Sequence, residues 1–347
     1  MSSLRPITSG PYTTTDVDIL KTASEIFPSN FPLQKGYQTS LGIQRELGHN
    51  MVLTADWARR QFEHVSLGEI DLNHFSGVSG PVIPACTTSQ LFVAGQECST
   101  GGITVWTPQG RSIFEGLLVR LDRRYSNHFQ FTASYALQNL NNVTVVNLNN
   151  YFQGYGPSLP RHNLNVSGTA DFRWGFQLSV NSAIISRTPV QPTIAGADLS
   201  GTLGSGGTGP LPGNSYRCYN VGCSKTDLQA AVDKWNSNYA GTKGPYGTVL
   251  SKVALPSDYQ LGDPFFSQDF RVTKSFTYKE RYQLKVFSEF FNAFNIANLT
   301  GYSFALDRAA ANPAAQTYSF GQPTQRAAQS FLSGGPRAIQ VGARFSF

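Results

Sequence analysis

The chain ends with the stretch RAIQVGARFSF, residues 337–347, in which apolar and other residues alternate from Ile339 onward. The apolar set occupies every second position and consists of Ile339, Val341, Ala343, Phe345 and Phe347. Successive side chains of a β-strand point to opposite faces, so this period of two predicts a strand. The end of the chain is therefore predicted to separate an apolar surface from a polar one.

Each of four earlier stretches contains two such alternating runs, which are joined by a short turn. The turns are predicted at Gly48-His49-Asn50, Ser126-Asn127-His128, Arg173-Trp174-Gly175 and Tyr278-Lys279-Glu280. Two alternating runs joined by such a turn are typical of a β-hairpin. Together with the last strand, these hairpins predict about nine strands, and a strand at Thr13–Leu20 would make about ten.

The joins between the predicted hairpins are much longer than the turns inside them. They run from about Gln61 to Gly110, Asn139 to Leu159, Arg187 to Phe265 and Asn295 to Gly335. Structureless joins of this length are uncommon in compact soluble domains. Membrane barrels show this asymmetry, because short periplasmic turns lie at one end and long extracellular loops lie at the other.

One of the long joins is predicted to hold a helix. Leu228, Ala231, Val232 and Trp235 recur at helical spacing, and Thr226 with Gln229 forms a candidate capping box. We expect this helix to be a strut that packs onto its own loop.

Composition excludes several classes of protein. Charged residues make up 14% of the chain, well below the roughly 25% of soluble domains. No window approaches the ~18 consecutive apolar residues of a membrane-spanning helix, so a helical membrane protein is excluded. The net charge of +6 is spread along the chain without a basic run, and nucleic acid is therefore not an expected partner.

These patterns favour an all-β fold, an antiparallel transmembrane β-barrel that is only partly present, over a soluble β-sandwich. The polar face of the predicted strands is mostly Gln, Asn, Ser and Thr, which suits an enclosed lumen. Its charges occur in close pairs, Arg120 with Asp122 and Lys285 with Glu289. Such charges can line a transport pathway or support the lumen structure, and we expect the structural role.

Aromatic residues gather near the predicted strand ends, as they do where barrels meet the two membrane interfaces. They are Tyr37, Trp57, Phe62, Tyr125, Phe129, Phe172, Trp174, Phe176, Phe276, Tyr278 and Tyr282. Outer-membrane lipid is therefore an expected partner.

The four cysteines form two local pairs, Cys86 with Cys98 and Cys218 with Cys223, in stretches rich in Gly, Pro, Ser and Thr. Local pairs in loops favour disulfides, which suit an oxidising periplasm or cell surface. Free thiols are the next alternative. A zinc site would need further Cys or His at ligand spacing, and none lies nearby.

No set of residues predicts catalysis, a cofactor or a metal. The five histidines are scattered, and no Gly-x-Ser-x-Gly context supports a Ser-His-Asp triad. The glycine-rich segment 201–209 lacks the Lys and the following helix of a phosphate-binding loop. We therefore expect the chain not to be an enzyme.

The closing strand and its terminal Phe347 resemble the last strand of outer-membrane barrels, which the barrel assembly machinery reads. The stretch RYQLKVFSEFFNAFNIANLTGYS, residues 281–303, resembles the penultimate strand of TonB-dependent transporters of the Oar-like type, with the element Phe291-Asn292-Ala293-Phe294-Asn295. Further matches are YQTSLGIQRELGHNMVLTADW, the hairpin LVRLDRRYSNHFQFTASYALQ and the entry Pro160-Arg161-His162. The resemblance covers residues 35–347.

The resemblance implies an outer-membrane location and a barrel of about 22 strands with a signal sequence and a plug domain. The sequence shows no signal sequence and no plug domain, and its nine or ten predicted strands are too few for a barrel of about 22. Residues 35–347 are therefore expected to be the carboxy-terminal part of the barrel. Residues 1–34 would be a flanking segment or a loop that holds one strand. The implied function is uptake of a bulky nutrient, a glycan or a metal chelate, with the loops contributing recognition. The TonB system would act only through an upstream plug.

Two other functions fit the same residues. The chain could be a small self-contained barrel that acts as a passive pore or as an adhesin. It could also be a secreted all-β carbohydrate-binding module, although the pattern of the terminal strand argues against this function.

Overall fold

The computed structural model describes residues 6–7, 25–28, 31–71, 86–87, 89–90, 98, 104–147, 150–199, 207–244, 247–279, 281–328 and 334–347. The strand predicted at Thr13–Leu20 lies outside the described residues. Two short strands, β1 (Pro6–Ile7) and β2 (Glu25–Pro28), pair in parallel, and β2 continues the pairing onto the first residues of a long strand.

A single antiparallel sheet, called the wall below, is built from long strands that pair in chain order. They are β3 (Lys35–Gly48), β4 (Met51–Asp71), β5 (Thr104–Ser126), β6 (Phe129–Val143), β8 (His162–Phe172), β9 (Phe176–Ile185), β13 (Phe265–Tyr278), β14 (Tyr282–Phe291) and β18 (Ala338–Ser346). The nine predicted wall strands and all four hairpins are confirmed within the described residues.

The register places the regularly alternating apolar residues of the wall strands on one face. Leu41, Trp57, Leu117 and Leu137 lie directly opposite one another across four strands, and Phe276, Leu284 and Phe345 do so across three. Many of these side chains have no protein cover: Leu41 is 74% exposed and Val341 is 72% exposed. A continuous exposed apolar face of this kind is stable in lipid and not in water.

A charge placed on this face should destabilise the protein much more than the same charge on the polar face. Val119 lies on the apolar face in the middle of β5, opposite Ala55 and Tyr135. We expect Val119→Arg to lower the free energy of unfolding in vesicles by about 2–4 kcal/mol. The control is Ala136→Arg on the polar face, with an expected loss below about 1 kcal/mol. Denaturant titration followed by tryptophan fluorescence gives both values, and equal losses would mean that both faces meet the same solvent.

The short turns have the backbone that hairpins require. Asn127 and His128 form the two-residue turn between β5 and β6, with φ of 53° and 72°. Two successive positive φ values match the twist of the flanking strands, and Asn tolerates this conformation better than most residues.

The predicted aromatic residues near the strand ends are all exposed. Two of them lie on the polar face and not on the apolar one: Phe62 pairs with Gly36, and the Tyr125 hydroxyl donates to Asp171.

The prediction that a loop begins at Gln61 and ends at Gly110 was wrong. Strand β4 continues to Asp71 and β5 begins at Thr104. The alternation stops earlier because the outward positions become charged, and Arg59 forms an ion pair with Glu115 at 3.4 Å. Backbone pairing therefore continues beyond the apolar band, where a pattern of hydrophobicity can no longer reveal it.

The wall is an open sheet in the part of the chain that the structure describes. Strands β3 and β18 each pair along one side only, so the barrel does not close. The helices of that same part include none that is long and apolar enough to cross a membrane.

The long joins are not structureless, which corrects the prediction. They contain β7 (Tyr155–Pro157), β10 (Thr193–Ile194), β11 (Gly209–Pro210), α1 (Lys225–Asn238), β12 (Val253–Ala254), β15 (Leu299–Thr300), β16 (Ala305–Arg308) and β17 (Gln325–Arg326). Short 3-10 turns occur at Tyr151–Gly154, Arg173–Gly175 and Pro313–Ala315.

The predicted helix forms, but its capping box begins two residues earlier than expected. Ser224, and not Thr226, is the N-cap: its backbone N–H donates to the Asp227 carboxylate at 2.7 Å, and its hydroxyl accepts from the Asp227 N–H at 3.3 Å. Thr226 with Gln229 fits the pattern Ser/Thr-x-x-Glu/Gln, and Ser224 with Asp227 fits the variant that has an acidic residue at the same position. Starting at Lys225 places Leu228, Ala231, Val232 and Trp235 on one buried face.

Candidate functional site: the loop-side cap

The two longest joins fold together into one unit, called the cap, formed by the described parts of residues 187–264 and 292–337. Strand β16 of the second join lies between β10 and β12 of the first, parallel to β10 and antiparallel to β12. Strand β11 completes the order β11-β10-β16-β12. Each join thus supplies strands that the other needs for hydrogen bonding.

The cap contains the main hydrophobic core of the described residues. The buried cluster consists of Val190, Ile194, Ala197, Leu211, Cys218, Tyr219, Leu228, Ala231, Val232, Trp235, Leu250, Val253, Tyr259, Leu261, Leu306 and Phe320. No member comes from a wall strand. The cap is therefore held together as a water-soluble domain is, by apolar burial, whereas the wall turns its apolar side chains outward.

Helix α1 packs into this core through Trp235, which is 1% exposed. Its indole Nε1 donates to the Ser251 carbonyl at 3.0 Å, and its ring stacks on Tyr239 at 5.3 Å. The next residue, Asn236, bonds both the N–H and the carbonyl of Val253 through its side-chain amide, each at 2.9 Å. These contacts join the helix to the edge of the cap sheet.

Both predicted disulfides are present. Cys86 bonds Cys98, and Cys218 bonds Cys223. The second closes a loop at the surface of the cap, where the carbonyl of Cys218 also accepts from the N–H groups of Gly222 and Cys223. This bond fixes the loop that faces the wall.

Loss of the second disulfide should loosen the cap measurably. Closing so short a loop contributes about 2 kcal/mol in the chain-entropy model. We expect the double variant Cys218→Ser, Cys223→Ser to lower the denaturant midpoint of the cap, read from the fluorescence of buried Trp235. The pair Cys86→Ser, Cys98→Ser is the matched control, since neither residue belongs to the cap. A cap midpoint that falls equally in both variants would contradict a local effect.

Two buried asparagines attach the cap to the wall. Asn298 bonds the backbone of Phe266 on β13 twice: its Oδ1 accepts from the N–H at 2.7 Å, and its Nδ2 donates to the carbonyl at 2.9 Å. The same Nδ2 donates to the Gly334 carbonyl at 3.0 Å. Strand β14 has already ended at this level, so the Asn298 side chain takes the place of a β-strand partner for β13.

Asn292 holds the turn that follows β14 in the same way. Its side chain bonds the N–H of Ile296 at 3.0 Å and the carbonyl of Ile296 at 2.8 Å, and it donates to the Gly335 carbonyl at 2.6 Å. Its backbone N–H donates to the Asp269 carboxylate at 2.8 Å. The two asparagines, called the asparagine clasp below, therefore fix both ends of the join 292–337.

A cleft of about 340 Å³ lies between the cap and the wall. Its polar and aromatic lining comes from strands β6 and β7, the segment before β8 and the disulfide loop, and includes Gln138, Asn139, Asn141, Tyr155, Arg161 and Tyr216. Gly156 allows the close approach of the two surfaces, because a Cβ there would lie 2.1 Å from the Tyr216 carbonyl oxygen. Amide, guanidinium and phenol groups in one cleft can bind a ligand rich in hydroxyl or carboxylate oxygen.

The structure does not bring the four predicted lumen charges together. Arg120 pairs with Asp122 at 2.7 Å, and the Thr132 hydroxyl also donates to Asp122 at 2.7 Å. Glu289 pairs with Arg271, the residue opposite it on β13, at 3.4 Å, so the predicted pairing with Lys285 was wrong. Lys285 instead lies opposite Ser275 and Arg344. Alternation along one strand could not show which residue would stand opposite on the next.

The predicted residues of the last strand lie as the alternation requires. Ile339, Val341, Ala343 and Phe345 are opposite Phe290, Ser288, Val286 and Leu284 of β14. Phe345 stacks on Tyr282 and on Phe347. Within the described residues, no three His, Cys, Asp or Glu side chains come together as a group that could hold a metal ion.

The sequence matches the family described as "Outer membrane beta barrel domain" over residues 4–340. The chain belongs to that family. Its location is therefore the outer membrane, its apolar face is the surface that contacts lipid, and its polar face lines the inside of the barrel. Curated proteins gave no significant match.

Solved structures with a similar backbone include a complex of FpvAI with pyocin S2 and the outer membrane transporter YddB from Escherichia coli. The first is 9% identical with a TM-score of 0.43, and the alignment covers 90% of this chain and 28% of that one. The second is 8% identical with a TM-score of 0.44, covering 96% of this chain and 36% of that one. This barrel-family chain thus spans about a third of the length of these structures.

Proposed function

We propose that this chain forms part of the wall and the outer cap of a TonB-dependent receptor that takes up a bulky nutrient across the outer membrane. The observation that carries the proposal is the folded cap, built from two joins and fixed to the wall by the asparagine clasp. A receptor needs a rigid surface, held at the entrance, on which its ligand can be recognised.

The cleft between cap and wall is the part of this surface that we assign to ligand binding. Its amides, Arg161 and the two tyrosines suit a glycan, whose hydroxyl groups both donate and accept hydrogen bonds. Tyrosine rings can also stack on a sugar. Energy coupling through TonB would require a plug domain, and we propose no catalytic role for this chain.

Ligand binding can be measured on the protein reconstituted in lipid nanodiscs, with neutral hexasaccharides and ferric chelates as probes in isothermal titration. We expect binding of a hexasaccharide, weakened about tenfold by Tyr216→Ala or Arg161→Ala. The control is Arg173→Ala at the opposite end of the wall, which should bind as the native protein does. Equal affinity in all variants would remove the cleft from the proposal.

Uptake of the same probe by cells separates a receptor from a passive pore. Energy-coupled uptake stops when a protonophore dissipates the proton gradient, whereas diffusion through a pore continues. Persistent uptake in the presence of the protonophore would favour the pore.

The exposed apolar face of the wall does not fit the other alternative, a secreted carbohydrate-binding module, because such a module is soluble in water.

A further inference from the structure

The turn-side end of the wall carries cations that lie over aromatic rings on the lipid face. The Arg123 guanidinium lies 3.9 Å from the centre of the Phe129 ring, and Arg123 itself stands opposite Phe131 on that face. Its Nη2 donates to the Ser126 carbonyl at 3.4 Å. A ring below a cation holds it in place without neutralising its charge.

Three more cations of this end are placed in the same way. Lys274, opposite Phe176 in register, lies 4.5 Å from that ring, and its ammonium donates to the Trp174 carbonyl. In the neighbouring turn, Lys279 lies over Tyr278 at 5.4 Å and Arg281 lies over Tyr282 at 5.6 Å. Among the described residues, no carboxylate forms an ion pair with any of these four cations.

The two ends of the lipid face differ in the sign of their charge. At the loop-side end Arg59 pairs with Glu115, and Glu63 stands between Lys35 and Arg111 in register, so both signs are present. At the turn-side end the described residues of the lipid face include cations and no acidic side chain. The nearby Asp171 points to the other face, where it accepts from Tyr125 and Gln177.

An apolar groove of about 610 Å³ lies on the same face, over the three strands that separate Arg123 on β5 from Lys274 on β13. It runs over β6, β8 and β9, and its lining includes Phe129, Phe131, Gly168, Ala170, Phe172 and Leu178. The groove exists because Gly168 and Ala170 are small beside Phe131 and Phe129, which stand opposite them. Arg123 and Lys274 are separated by four strand spacings across the sheet, about 19 Å, and by a further four residues along the strands, so each can serve a different headgroup.

We propose that this groove is a binding site for anionic phospholipid of the periplasmic leaflet. An acyl chain lies in the groove, and the phosphate of a headgroup pairs with Arg123 on one side or with Lys274 on the other. The four ring-held cations select lipids with net negative charge over zwitterionic ones, since each cation near such a surface favours an anionic headgroup. The proposal rests on the membrane position of the wall and not on transport.

Trp174 allows a direct test, because it is 82% exposed and lies in the turn after groove residue Phe172. The protein is reconstituted in phosphatidylcholine vesicles that contain a minor fraction of brominated phosphatidylglycerol or brominated phosphatidylcholine. Quenching that is lost in Trp174→Phe is assigned to this tryptophan. We expect the relative binding constant of phosphatidylglycerol to exceed that of phosphatidylcholine, and to fall about fivefold in Arg123→Gln and again in Lys274→Gln.

Two controls distinguish binding at this groove from general electrostatic attraction of anionic lipid to the protein. Arg59→Gln and Arg111→Gln remove cations from the loop-side end and should leave the quenching of Trp174 unchanged. Ala170→Phe fills the groove while retaining the cations, and should reduce quenching by the brominated chain. Equal quenching by the two lipids, a preference that survives Arg123→Gln with Lys274→Gln, or stronger quenching by brominated lipid A than by phosphatidylglycerol would each overturn the proposal.

Discussion

Trp235→Ala will unfold the cap and leave the wall folded. Trp235 is 1% exposed, and its replacement removes a large ring from the core together with the hydrogen bond to Ser251. Truncating a buried tryptophan costs about 3–5 kcal/mol, of the same order as the stability of a small domain. The wall does not share this core, so its strands should stay paired in the membrane.

Limited proteolysis of the protein in outer-membrane vesicles distinguishes the two parts. In Trp235→Ala we expect new cleavage within 187–264 and 292–337, with the wall hairpins still protected. Trp174→Ala is the matched control, since Trp174 is 82% exposed in a short turn. Protection of the cap in Trp235→Ala, or cleavage of the wall together with the cap, would show that the cap is not a separate cooperative unit.

Asn292→Gly will release the asparagine clasp. Glycine is the informative replacement because Asn292 has a φ of 45°, which glycine adopts without strain. The variant leaves the N–H and carbonyl of Ile296 and the carbonyl of Gly335 without their partner. Buried backbone groups that lose a hydrogen bond cost about 1–3 kcal/mol each, so we expect roughly 3 kcal/mol of local destabilisation.

Hydrogen exchange of the segments 292–298 and 334–337 measures this effect. A loss of roughly 3 kcal/mol corresponds to about a hundredfold faster exchange of the protected amides. Asn295→Gly is the control, because Asn295 also has positive φ, at 53°, but is exposed and accepts a single long bond from Arg337. If both glycine variants exchange equally fast, the backbone conformation and not the side-chain amide carries the stability.

The wall could be predicted because each of its strands and turns is specified by residues that are close together in the sequence. Each strand shows its faces in a few residues, and each short turn contains residues such as Asn127 that accept positive φ. The strand ends could not be placed in the same way. Beyond Arg59 and Glu115 most outward positions are polar, among them Gln61, Glu63 and Arg111, so the alternation ends although the hydrogen-bonded ladder goes on.

The cap could not be predicted because its contacts join residues that are far apart along the chain. Thr193 bonds the Phe304 carbonyl at 2.8 Å, across 111 residues, and no local pattern indicates this pair. Asn298 was missed for a similar reason, since a buried asparagine looks like any loop asparagine in sequence. Only the motif at Phe291–Asn295 suggested that this turn was special, and it did not reveal the contacts.

The sheet order β11-β10-β16-β12 has a consequence for how relatives of this protein can diverge. A recombination event that replaced residues 187–264 alone would bring in strands whose central neighbour, β16, had evolved beside other partners. Replacing both 187–264 and 292–337 would transfer a whole sheet with its core. The two segments are therefore one unit of inheritance, and variation in the cap should be accepted in pairs of segments while the hairpins between them stay unchanged.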